Sequence, residues 1–99
     1  MLNRNEILNF LSDHLSDLKV EYNISKIGLF GSFARNEQDE NSDVDILLEF
    51  EPDTKNIYEK KTKLKQFLKS SFQRDIDLCR EKYVKPYLKD YLYKEVIYV

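Results

Sequence analysis

The sequence predicts an α+β fold, a small mixed β-sheet flanked by helices, and three observations predict it. Apolar residues recur at helical spacing in the first, middle and last segments. Acidic and apolar residues alternate from Asp43 onward, as on a half-buried strand. A Gly31-Ser32 turn follows an apolar run and opens a polar loop. Read along the 99 residues, the order is helix, strand, short helix, strand, helix, strand, helix. That order suits a mixed sheet with helices packed on it, in a single domain spanning 1–99.

Each element has a local reason. From Asn3 to Lys19, Ile7, Leu8, Leu11, Leu15 and Leu18 make one apolar stripe, and Asn3 or Asn5 can cap its start. Ser25 to Phe30 reads as a strand that runs into the Gly31-Ser32 turn, and Ser32 to Arg35 as a short helix. Asn36 to Ser42 is a polar, acidic surface loop. Asp43 to Phe50 is the second strand, with Asp43, Asp45, Leu47 and Glu49 on one face and Val44, Ile46, Leu48 and Phe50 on the other. Pro52 closes it. Lys55 to Ser71 is a helix with Ile57, Leu64, Phe67 and Leu68 inward. Asp75 to Cys79 is the third strand, and Pro86 to Val99 the last helix, with proline suited to its first turn.

Composition excludes several classes. Charged residues make up 34% of the chain but nearly cancel to a net charge of −2. No basic field is available to hold a polynucleotide, so direct nucleic-acid binding is not expected. The single cysteine, Cys79, cannot form an internal disulfide, which favours a reducing compartment. The opening Met-Leu-Asn-Arg-Asn-Glu has no apolar run suited to a signal peptide or membrane span. A cytoplasmic protein without a membrane partner is expected.

The chemistry lies in the acids. Positions two apart on a strand put Asp43 and Asp45 on one face, roughly 6.5–7 Å apart. Without a cation, two such carboxylates repel. Magnesium relieves this, because it accepts a few carboxylates together with waters and phosphate oxygens. Two metals about 3.5–4 Å apart can clamp the attacking and leaving oxygens of an in-line displacement at phosphorus. Asp77 on the third strand is the natural third ligand, and Asp75 on the same face competes with it. Gly31 lets the backbone approach a phosphate, Ser32 adds a hydroxyl, and Arg35 either faces the triphosphate or holds the acidic strand.

The run Gly31-Ser32-Phe33-Ala34-Arg35, then Ser42-Asp43-Val44-Asp45-Ile46-Leu47-Leu48, resembles the signature of the polymerase-beta-type nucleotidyltransferase superfamily. Its short length resembles the minimal nucleotidyltransferases, which show Gly-Ser-x-Ala-Arg-Gly, Ser-Asp-x-Asp and a later Val-Asp-Leu. Here Ile76-Asp77-Leu78 matches the last element and favours Asp77 over Asp75. One departure stands out: Asn36 replaces the glycine after Ala-Arg, and asparagine tolerates a left-handed backbone.

The resemblance implies an antitoxin that moves AMP from ATP to a tyrosine of a HEPN-type ribonuclease toxin. Two Mg2+ ions would be held by Asp43, Asp45 and Asp77. Nucleotide binding would fall to Gly31, Ser32, Arg35 and Ser42. Two alternatives stay open: an antitoxin that only occludes its partner, and a nucleotidyltransferase acting on a small molecule or RNA.

Other features have plainer readings. The lysines Lys55, Lys60, Lys61, Lys63, Lys65 and Lys69 make a solvated helix face. Glu37, Asp39 and Glu40 lie in an exposed loop. Of the tail tyrosines Tyr83, Tyr87, Tyr91, Tyr93 and Tyr98, some are expected to pack on the sheet, core packing being favoured for any one of them, with others open to a partner surface. His14 is read as structural or exposed, and Cys79 as a small buried hydrophobe.

Overall fold

Alternation along the second strand determines how the sheet is covered. In the computed structural model, which describes residues 2–99, the elements are α1 (Arg4–Asp13), α2 (Leu15–Tyr22), β1 (Ile24–Phe30), α3 (Gly31–Ala34), β2 (Val44–Phe50), α4 (Ile57–Phe72), β3 (Ile76–Arg80), a 3-10 turn (Glu81–Tyr83), α5 (Pro86–Glu95) and β4 (Ile97–Tyr98). Val44, Ile46, Leu48 and Phe50 of β2 join Ile27 and Leu29 of β1 and Ile76 and Leu78 of β3 in one buried cluster. Ile7, Leu11 and Leu18 cover it from α1 and α2, and Leu64, Leu68 and Phe72 from α4. Each of these side chains contributes roughly 1.5–3 kcal/mol by leaving water. The alternate positions, Asp45, Glu49, Asp77 and Cys79, face the other way.

The strand order is β3-β2-β1-β4. β1 is antiparallel to both β2 and β4, and β2 is parallel to β3. A parallel pair needs a crossover connection, and α4 supplies it. The architecture agrees with the mixed sheet read from the sequence.

Three features differ from that reading. The first helix is broken at His14, whose ring stacks on Phe10 at 4.1 Å, with Nδ1 2.9 Å from the Phe10 carbonyl. The chain then resumes as α2 and stops at Asn23, which takes the left-handed conformation that ends many helices (φ 56°). The expected last helix ends at Glu95. Beyond it Ile97 and Tyr98 pair with Leu29 and Gly28 as a fourth strand. The run Val96-Ile97-Tyr98-Val99 is β-branched and aromatic, and so suits a strand. The tail tyrosines are not core: Tyr83, Tyr87, Tyr91, Tyr93 and Tyr98 are all exposed. Leu92 takes the buried position on α5 instead.

Among the described residues no helix is long and apolar enough to cross a membrane. The lysines of α4 lie mostly exposed, and Cys79 is a half-buried free thiol.

Candidate active site

The β2–β3 register brings the acids together. Asp45 lies directly opposite Asp77, and Asp43 immediately precedes β2. The Val44 amide donates to the Asp75 carbonyl at 2.9 Å, which fixes the mouth of the strand pair beside Asp43. Asp75 turns away to pair with Lys69 at 3.1 Å, so its carboxylate is engaged elsewhere. Asp43 and Asp77 are exposed, and Asp45 is half-buried. Burial, followed by the charges of Asp77, Asp43 and Glu95, pushes the Asp45 carboxyl up to about 6 from 3.8. Burial and the same acids, Asp77 and Asp45, raise the Cys79 thiol.

The turn after β1 abuts this group. Gly31 has φ +77°, and a Cβ there would overlap Asp45 Oδ2, so only glycine fits. The Ser32 hydroxyl makes no hydrogen bond among the described residues. Asn36 adopts φ 59°, the left-handed conformation in which it stands in for glycine. Arg35 stands near enough to Asp45 for its charge to draw that carboxyl's pKa down. Its guanidinium pairs with Glu95 of α5 and, at 3.3 Å, with Glu37. The Ser42 hydroxyl is turned into its own loop, where it accepts from the Asp39 amide at 2.9 Å.

Two residues of this region escape a sequence reading. Arg74 donates to the carbonyls of Asp39 (3.0 Å) and Ser42 (2.9 Å) and lies over the Phe33 ring. It thereby ties the loop before Asp43 to α3. Glu95 accepts from the Gly31 amide at 3.0 Å as well as from Arg35. No spacing marks either residue, because each acts across the fold. A groove of about 610 Å³ runs between α5 and the sheet, lined in part by Phe30, Cys79, Tyr87, Tyr91 and Glu95.

Three carboxylates offer hard oxygen donors of the kind a divalent metal takes, and burial together with the neighbouring acids raises Asp45. The donor set therefore fits a divalent metal. Among the described residues no three His, Cys, Asp or Glu side chains are gathered closely enough to hold one.

A glycine turn set against the paired strand carboxylates Asp45 and Asp77 is the geometry of the candidate site. The chain belongs to the nucleotidyltransferase domain family, whose model matches residues 6–99. It is 33% identical over 99 residues to the protein adenylyltransferase MntA of Thermococcus cleftensis, covering 100% of this chain and 98% of that one. It is 40% identical over 97 residues to a Methanocaldococcus jannaschii chain provisionally named a protein adenylyltransferase, covering 95% of each. A solved structure provisionally described as a minimal nucleotidyltransferase superposes with TM-score 0.80 at 26% identity, over 97% of this chain and 95% of that one. A toxin–antitoxin structure with AMP-PNP gives TM-score 0.65 at 28% identity, over 98% and 72%.

Proposed function

We propose that this chain is an antitoxin that transfers AMP from ATP to a tyrosine of a HEPN-type ribonuclease toxin. The observation that carries the reading is the pairing of Asp45 with Asp77 beside the Gly31 turn. Support comes from the relative named protein adenylyltransferase and from the similar fold in a toxin–antitoxin structure with AMP-PNP.

In this reading Asp43, Asp45 and Asp77 would hold two Mg2+ ions, whose bound charge would offset the negative charge that develops in an in-line displacement at phosphorus. Gly31 gives the triphosphate close access to the backbone, and the unpaired Ser32 hydroxyl is a donor for its β- and γ-phosphates. Asp77, exposed on the edge strand, takes the proton of the acceptor hydroxyl. The tyrosine oxygen bonds to the α-phosphorus as the α–β anhydride bond breaks, and pyrophosphate leaves.

The test is intact-mass analysis of the protein with magnesium, ATP and the product of the neighbouring gene, with Asp43→Asn in parallel. We expect an adenylate-sized gain on the partner that the variant abolishes. Full transfer by Asp43→Asn would remove that residue from the site. A tight complex with no mass gain would point to occlusion, and a gain on RNA or a small molecule to a different acceptor.

A further inference from the structure

Glu95 is the last residue of α5, yet both oxygens of its carboxylate end in the nucleotide turn. One accepts from the Gly31 amide at 3.0 Å, and the other pairs with the Arg35 guanidinium. Its side chain is only 11% exposed, and the bond from the Gly31 amide is partly buried, whereas the Arg35 pair lies at the surface. Gly31 itself is buried, and its amide would otherwise be left without a partner, a costly state for a backbone donor. Glu95 also adds negative charge next to Asp45, which on its own is unfavourable. An acid kept in that position, with both oxygens engaged, has a geometric role to offset the repulsion.

That role follows from the packing. A Cβ at Gly31 would overlap Asp45 Oδ2, so the turn lies directly beside that carboxylate. Glu95 holds the same turn from the α5 side. The turn therefore sits between Asp45 and Glu95, while the Ser32 hydroxyl has no partner among the described residues. We infer that Glu95 is a positioning residue, a latch from α5 that fixes the Gly31 turn and Arg35 in register with the catalytic acids so that the triphosphate meets a preset site. The inference rests on the nucleotidyltransferase reading and adds to it a residue outside the motifs that carry the reading.

The latch can be read without catalysis. The chain has two glycines, Gly28 and Gly31, so their amide resonances are readily told apart. Glu95→Ala should move the Gly31 resonance and leave Gly28, which reports on β4 pairing, in place. In transfer assays with the partner, the same variant should raise the KM for ATP about tenfold while kcat stays within about threefold, because a lost positioning bond weakens binding more than chemistry. Glu95→Gln keeps an acceptor for the amide and loses the charge on Arg35. It should recover most of the KM and tests the latch even where Glu95→Ala fails to fold.

An unmoved Gly31 resonance in Glu95→Ala, or an unchanged KM, would overturn the inference. So would a lowered KM, which would mean that Glu95 competes with the triphosphate for these donors. A wild-type protein that neither binds ATP nor transfers AMP would instead sink the functional reading, and the Gly31 resonance would then decide on the latch alone.

Discussion

Asp45 sits half-buried between the Gly31 turn and Asp77, and its carboxyl is held at about 6 by burial and neighbouring acids. A proton on Asp45 therefore favours the folded state. The stability it contributes is present below the ordinary value of 3.8 and is lost as pH rises through about 6. In metal-free protein, Asp45→Asn should be more stable than wild type at neutral pH, and the gap should close towards pH 4. Because the group is partly exposed, solvent screening reduces the gap to about 1 kcal/mol. Thermal melts across pH 4 to 7 would show it, and a gap independent of pH would refute the electrostatic account. Residues also show where sequence reading stops. Asp43, Asp45 and Asp77 declare themselves by period and motif, and Asn36 by its tolerance of positive φ. Arg35 and Ser42 are ligand candidates in the sequence, and the folded chain gives them the partners Glu95 and Asp39, which no local pattern shows.

Among the elements, β4 is the instructive one. Two residues after a helix carry no periodicity, so the tail reads as helix to its end. The cue lies far away in β1. At Gly28 a Cβ would stand 2.9 Å from the Ile97 carbonyl oxygen and from Val96 Cγ2. Only a residue without a side chain lets β4 approach so closely. Gly28→Ala should push β4 off the sheet at a cost of about 1–3 kcal/mol, as overpacking usually does. Hydrogen exchange would report it, since the Val99 amide, bonded to the Ile27 carbonyl at 3.1 Å, would lose protection. Retained protection would show that the edge can yield. The broken first helix teaches the same lesson locally, because an apolar stripe does not reveal that the His14 ring stacks on Phe10.

At the scale of the whole molecule, the fold class and the acidic motif were legible because both are written in local period. The exposure of the tyrosines was not, because it depends on α5 offering Leu92, rather than its aromatic residues, to the interior. The choice of Asp77 over Asp75 drew on the resemblance, and the parallel register gives it a physical basis. That register also bears on how fast the chain folds. Asp45 and Asp77 meet only after the long connection through α4 has closed, and such non-local pairings are slow to form. The step that docks β3 also brings two like charges together, so their repulsion burdens the climb to the folding barrier as well as the folded state. Salt, or Asp45→Asn, should therefore speed metal-free refolding more than it slows unfolding, and stopped-flow measurements at low and high ionic strength would separate the two. An unchanged refolding rate would place β3 docking after the barrier, with the acids meeting only as the last strand settles.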